Sequence, residues 1–454
     1  MAFLAALQQH LGAQHPGIPL ITPADASFDA TRACYVKRAA VPAAIVRPQT
    51  AAHVQALVQY CTKNNVDFVV RSGGHDCAGR SQVDGALSVD LRDLKHVSVS
   101  ADGKTATIGG GILFRDLTSY LDARGLVTPV GTVASVGYVG WATLGGYGPF
   151  SARYGLGVDQ IVGAKLVNAK GDLVEAGAEL LQGIRGGGGI FGVIVELTIK
   201  VYPLKELLNS LLIYESSDLK SAWTSYATGY EKLRAGEPLP PALQLQPFGI
   251  ELPGLGKVLA VGATWADDDQ EEGKKWFGKI AALGNCIMNN PEAKSVTAYT
   301  TFNESLIVYG SFGRAYTISL GRYTAKTAEV LAKYTGLIPG GGIAMAVHTY
   351  RPAAVVPAES VFGNRSDHLM LEFVSLTPVA DLEVKGAEWA RNIISELRAE
   401  DAGNVLEHAY VSLLGNEDSD YKKIYGAHYD TLVALKKKYD PDNVFKYAVP
   451  QLSV

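Results

Sequence analysis

Cysteine is scarce in this chain of 454 residues, and the four present, Cys34, Cys61, Cys77 and Cys286, are widely spaced. They form neither a metal-binding pair nor a dense disulfide framework, so no metal site is expected. Long apolar runs are lacking as well. No window approaches the ~18 apolar residues of a membrane-spanning helix, which argues against any membrane partner. Basic charge is thin: the net charge is −4, and the only dense run, Lys436-Lys437-Lys438, stands beside Tyr439-Asp440. We read that run as the solvated face of an amphipathic helix. A nucleic-acid partner would need a broader basic footprint.

The N-terminal MAFLAALQQHLGAQHPG has no basic region, and Gln8, Gln9 and His10 interrupt its apolar stretch, so it predicts a short helix rather than a secretion signal. The triplets Asn303-Glu304-Ser305 and Asn364-Arg365-Ser366 then carry no weight as glycosylation sites, and an intracellular, cytoplasmic location is expected. Missing too is a strand-to-helix G-x-G-x-x-G followed by an acid, which excludes Rossmann binding of a dinucleotide. Gly109-Gly110-Gly111 leads only into ILFRDLTSYLDARGL, an ordinary amphipathic helix.

What the chain has is a large apolar fraction, 47%, and 49 glycines gathered into clusters. From about residue 40, AAIVRPQ reads as a strand, TAAHVQALVQYCTKNN as a helix capped by Thr50, and VDFVVRSGG as a strand ending in glycines. HVSVSADGKTATIGGG and AKLVNAKGDLVEA carry hairpin turns at Asp102-Gly103 and Lys170-Gly171-Asp172. After Val201-Tyr202-Pro203-Leu204 the runs lengthen. LLNSLLIYESS, GKVLAVGATWA, HLMLEFVSL and HAYVSLL read as strands, and SDLKSAWTSYATGYEKL, DDDQEEGKKWFGKIAAL and VADLEVKGAEWARNIISELRAE as helices. Gly236 to Pro241 is a loop rather than a linker. The prediction is an α+β protein of two domains.

Three glycine-rich segments stand out: Arg71-Ser72-Gly73-Gly74-His75 with Gly79, then Gly137 to Gly148, then Arg185 to Gly192. A strand running directly into Ser-Gly-Gly can present consecutive N–H groups to one phosphate, but each cluster could equally be a tight turn. His75 beside such a turn could be functional or merely structural. In HLMLEFVSL, Leu369, Leu371 and Phe373 share one face while Met370, Glu372 and Val374 share the other. Glu372 is either a proton acceptor set among apolar residues or an exposed edge glutamate.

The segments RSGGHDCAGRS, VDGALSVDLRDLKHVSV, GTVASVGYVGWATLGGYGPFSARYGLGVDQIVGAKLVNAKGDLVEA, RGGGGIFGVIVELTIKVYPL and YGAHYDTLVALKKKYDPDNVF occur in a specific order. Together they resemble the berberine-bridge-enzyme-like oxidases of the vanillyl-alcohol-oxidase superfamily, over about residues 40–204 and the last thirty. The resemblance implies an FAD domain of residues 1–204 completed by 425–454, and a substrate domain, 205–424, whose antiparallel sheet is covered by helices. It implies a covalent bond from His75 to the 8α carbon of the flavin. Cofactor contacts fall to Arg71, Ser72, Gly73, Gly74, Gly79, Ser81, Gly131, Ser135, Val136, Gly137, Trp141, Gly145, Gly146, Tyr147, Val195 and Tyr447.

Many relatives add a second link from a cysteine, but Val133 holds that place here, so the link through His75 is expected to be single. Cys77 reads as a small packed residue. Val136 matches the position that admits oxygen, which makes O₂ the expected electron acceptor, and LMLEFV resembles the strand that delivers a catalytic glutamate, Glu372. The expected function is oxidation of a small organic substrate, an alcohol, amine or ring C–H, in secondary metabolism. Several positions depart from the family pattern. Tyr410-Val411-Ser412-Leu413 replaces an Asn-Tyr or Asn-Phe pair and leaves no tyrosine in the usual proton-transfer place, Trp141 stands where His is common, Ile190 replaces Asn, and Lys446 to Pro450 lacks asparagines. These departures keep open a redox-neutral cyclase or isomerase, or a dehydrogenase with another acceptor. The oligomeric state is not predicted.

Overall fold

The computed structural model describes residues 2–353 and 359–452. Helix makes up 38% and strand 24%, in open sheets rather than a barrel, which is the mixed class expected from the sequence.

The opening segment follows its pattern. Thr50 accepts a hydrogen bond from the His53 amide at 3.2 Å and starts the helix Ala51–Asn64, whose Val54, Leu57, Val58 and Cys61 form one buried stripe. The left-handed Asn65 ends it. Phe68–Arg71 then pairs in parallel with Leu87–Asp90, which also pairs in parallel with Ala44–Val46. Both predicted hairpins form, Val97–Val99 with Thr105–Gly109 and Ile161–Val167 with Leu173–Glu175, as the two flanks of a five-stranded sheet centred on Val193–Lys200.

From Leu207 onward the chain builds a nine-stranded antiparallel sheet. The helices Leu219–Gly236, Ala325–Gly336 and Glu383–Glu400 pack on one face through Trp223, Tyr226, Leu331, Trp389 and Leu397, against Leu369, Leu371 and Phe373. Each fully buried side chain of this kind stabilises the fold by about 1.5–3 kcal/mol. The opposite face of the same strand, His368–Thr377, turns toward the first half of the chain. Met370 meets Tyr147, Phe362 and Tyr410, and Val374 packs near Tyr35.

The last helix, Tyr429–Tyr439, returns to the first half, where Leu432 and Leu435 share a core with Leu180, Ile184 and Phe191. Here one expectation is overturned. The lysine triplet is not a solvated face, because three consecutive residues sweep most of the way round a helix. Lys436 lies four residues after Leu432, on the buried stripe, and is 1% exposed. Its ammonium reaches Asp440 at 2.5 Å and the Ile190 carbonyl at 3.0 Å, while Lys437 and Lys438 are exposed.

HAYVSLL is a second correction: Val411–Leu413 is a single 3₁₀ turn, not a strand. Its apolar residues are buried by side-chain packing in a cleft rather than by a ladder, with Tyr410 and Leu413 set against Tyr147 and Phe362.

Candidate active site

The strand Phe68–Arg71 runs straight into Ser72-Gly73-Gly74-His75, where Gly74 takes a left-handed φ of 69°. This loop nests against a second glycine loop. A Cβ on Gly73 would lie 2.4 Å from the Gly137 nitrogen and 2.6 Å from the Ser135 carbonyl oxygen, both rigid backbone. Any side chain there would wedge the loops apart. The amides of Gly73, Gly74 and His75 find no acceptor among the described residues. Unpaired N–H groups on a glycine turn after a strand fit a pyrophosphate. A third glycine pair, Gly145 and Gly146 with φ of 127° and 84°, lets the chain pass under the rings of Phe362 and Tyr410.

His75 closes the first loop. Its Nε2 lies 2.9 Å from Ser135 Oγ and 2.8 Å from the Tyr309 hydroxyl, and its ring stacks on Tyr35 with centroids 4.9 Å apart. Burial, with the nearby Arg71 and Arg115 guanidinium groups, pushes the imidazole down to about 3, so it is neutral at physiological pH.

Glu372 comes from the cleft-facing side of His368–Thr377, and Oε2 lies 3.0 Å from His348 Nε2 on the neighbouring strand. A carboxylate only accepts, so His348 donates. Gln246, one strand further, places its amide nitrogen 3.1 Å from the same imidazole nitrogen. The carboxylate is close enough to Tyr35, Cys77 and Tyr410 for its charge to add to burial in raising the proton affinity of each. Tyr410 is pushed up to about 12, chiefly by burial. Tyr35 thus stands near both groups, stacked on the His75 ring and within reach of the Glu372 charge.

The other expected cofactor residues divide into those at this cleft and those elsewhere. Ser72, Gly131, Ser135 and Gly137 line the two nested loops, and Trp141 donates to the Tyr147 carbonyl at 3.1 Å. The Tyr147 hydroxyl bonds His368 Nε2 at 2.8 Å. Val136 is partly buried beside the core of the first half. Gly79 is left-handed at φ 74°, and Ser81 Oγ lies 3.9 Å from Cys34 Sγ. Arg71 lies against Gly74 of its own loop and spends its guanidinium on the Thr31 and Ala33 carbonyls, each at 2.6 Å. Val195 is core, packed in one cluster with Val89, Leu91 and Phe445. Tyr447 donates to Asp67 at 2.8 Å, at the end of Phe68–Arg71 opposite the glycine loop.

Three residues at the cleft carry no signal in their own segments: His348, Tyr309 and, as a phenol beside the carboxylate, Tyr410. Only the alternation of AMAVHTY, which sets Met345 and Val347 against His348, hints that this histidine faces the same way as Glu372.

Residues 42–177 match the FAD binding domain family and residues 414–450 the family described as berberine and berberine like. The chain is 32% identical to FAD-linked oxidoreductase aurO of Gibberella zeae, over 95% of this chain and 85% of that one. It is 26% identical to (R)-6-hydroxynicotine oxidase of Paenarthrobacter nicotinovorans, over 94% and 95% respectively. Glucooligosaccharide oxidase from Acremonium strictum, a protein described with a 6-S-cysteinyl, 8α-N1-histidyl FAD, superposes with a TM-score of 0.80 at 19% identity, over 97% of this chain and 98% of that one. The protein is an enzyme, an FAD-dependent oxidoreductase. The chain belongs to the berberine-bridge-enzyme-like family of FAD-linked oxidoreductases.

Proposed function

We propose that this protein is an oxidase that carries FAD on a single covalent bond to His75 and oxidises a small organic substrate, with dioxygen as the final acceptor. One observation carries the reading. A neutral imidazole ends an unpaired glycine loop and stacks on Tyr35, a tyrosine that also feels the charge of a carboxylate held by a histidine on the next strand. In this reading residues 1–204 with 425–454 hold the cofactor and 205–424 hold the substrate between the two.

When bound, FAD supplies the acceptor for a hydride and passes the electrons on. The chain does the rest. The amides of Gly73, Gly74 and His75 bind the pyrophosphate, with Ser72, Ser135 and Gly137 shaping the loops around it. Glu372 removes a proton from a substrate O–H, N–H or activated C–H, and His348 holds its carboxylate in place by donating to Oε2. Tyr410, kept protonated by burial, offers a hydrogen bond to a substrate oxygen or nitrogen. Val133 stands where a second tether would require cysteine, so the link is single, and Val136 leaves room for oxygen. The aromatic walls, Tyr35, Tyr147, Phe362 and Tyr410, suit a flat aromatic or polycyclic metabolite. Among the described residues no helix is long and apolar enough to cross a membrane.

Anaerobic mixing with a panel of alcohols, phenols and alkaloid-like amines tests the reaction. An oxidase substrate bleaches the flavin absorbance near about 450 nm, and admitting oxygen restores it with peroxide. Product formed without bleaching would mean redox-neutral cyclisation or isomerisation. Bleaching that oxygen does not reverse would mean a dehydrogenase with another acceptor.

A further inference from the structure

Tyr309 touches His75 from a different part of the chain. It sits on the segment between the helix Val296–Glu304 and the strand Phe312–Leu320, which is the edge-on approach of the large sheet to the glycine loops. That segment is bolted to the first half by backbone. Gly310 and Ser311 donate to the carbonyls of Cys34 and Tyr35 at 3.2 and 3.0 Å, and Lys37 donates to the Ser311 carbonyl at 2.8 Å. The same Tyr35 stacks on the imidazole, so one docking event places both tyrosines around His75.

The hydrogen-bond partners there bear on the His75 tautomer. The Tyr309 hydroxyl has one hydrogen, and the Gly73 carbonyl, 3.3 Å away, can only accept it. With its hydrogen on that carbonyl, the phenol oxygen, 2.8 Å from Nε2, accepts from the imidazole; with its hydrogen on Nε2 instead, the carbonyl goes without it. In the first arrangement, which serves the carbonyl, the phenol and the imidazole together, Nε2 carries the imidazole hydrogen and the ring lone pair falls on Nδ1, which has no hydrogen-bond partner among the described residues. Ser135 alone would not fix this, because its hydroxyl can donate to Nε2 as readily as accept from it.

We propose that Tyr309 is a positioning residue for flavin attachment: by accepting from Nε2–H it presents the Nδ1 lone pair of His75 as the nucleophile, and it does so only when the 305–311 segment is docked. The proposal rests on the reading that His75 carries the flavin. Attachment forms a bond from Nδ1 to the 8α carbon and breaks one methyl C–H bond. Two electrons, with the hydrogens lost from the methyl group and from Nε2, pass to the flavin, and dioxygen takes them on as hydrogen peroxide.

The test compares full-length wild type and Tyr309→Phe, produced under flavin limitation and then supplied with FAD. Covalent loading is followed by acid precipitation and intact mass, non-covalent uptake by absorbance after gel filtration, and the His75 tautomer by ¹⁵N NMR before loading. Tyr309→Phe is expected to take up FAD non-covalently like wild type, which shows that it is folded. It should attach the flavin about tenfold more slowly, the weight of one hydrogen bond. Its imidazole should show both tautomers, where wild type shows only Nε2–H. Wild-type loading rate, or a pure Nε2–H tautomer, in Tyr309→Phe would overturn the role of Tyr309 while leaving His75 attachment intact. A wild type that binds FAD with no covalent bond, or a His75→Ala protein that still forms one, would overturn the attachment itself and this role with it.

Discussion

Acid should destabilise this protein well before its carboxylates are neutralised, and His368 shows why. The imidazole is fully buried. Nδ1 lies 2.7 Å from the Ser366 carbonyl, which can only accept, so Nδ1 carries the hydrogen and Nε2 accepts from the Tyr147 hydroxyl at 2.8 Å. A second proton would force the Tyr147 hydroxyl to turn from donor to acceptor and leave a buried charge without a counter-ion. Burial accordingly pushes the group down from the ordinary 6.5 to about 4. Because the folded pKa is the lower one, the unfolded chain binds the proton first. Stability is complete above about pH 6.5 and is lost as pH falls toward about 4, below which this group adds nothing further. The gap is worth about 3 kcal/mol, at about 1.4 kcal/mol per tenfold, against a typical total of about 5–15 kcal/mol. His408 and His75, each pushed down to about 3 by burial, act in the same direction. The measurement is a series of chemical denaturation curves between pH 7 and 4.5 for wild type and His368→Gln. The variant keeps a donor and an acceptor but does not titrate, so the slope of stability against pH should fall by the share of one proton. An unchanged slope would refute the argument, whatever the variant's absolute stability.

Replacing Glu372 by Gln removes the proton acceptor but keeps its size. Turnover should fall by about 10²–10⁴ with the flavin still bound, and steady-state rates within a few-fold of wild type would dismiss its role. For His75→Ala, acid precipitation should leave the yellow colour in the supernatant, whereas colour retained in the pellet would place the attachment elsewhere. Gly73→Ala drives a methyl into the Gly137 nitrogen at 2.4 Å, so flavin content after purification should collapse, and full occupancy would show that the loops can part. Lys436→Met strands the fully buried Asp440 with only the Val444 and Phe445 amides and should cost about 3–5 kcal/mol. A melting temperature equal to wild type would mean the pair contributes nothing.

Local features were legible in the sequence where one segment decides the outcome. The Thr50 cap, the two hairpin turns and the alternation that aims Glu372 away from Leu371 all depend on near neighbours, and they formed as read. The partners that complete the cleft were not legible, because they are chosen by long-range pairing. His348 reaches Glu372 only through the register of two antiparallel strands. Tyr309 reaches His75 only because a loop is clamped to Cys34 and Tyr35. The two misread segments failed for a related reason. The lysine triplet looks uniformly polar in a linear reading, yet helix geometry turns one of the three inward to Asp440. HAYVSLL has the composition of a strand, but its tyrosine is wanted under Gly146, where the hydroxyl accepts that amide at 3.3 Å.

The return of the last helix to the first half has a consequence for how the protein is made. Leu432 and Leu435 press on Gly187 and Gly183, and Lys436 binds the Ile190 carbonyl, so the early core stays open until the helix Tyr429–Tyr439 has been made. Cofactor loading is therefore a step for the finished chain. A chain that stops before Tyr429 should be not a weakened enzyme but a colourless one.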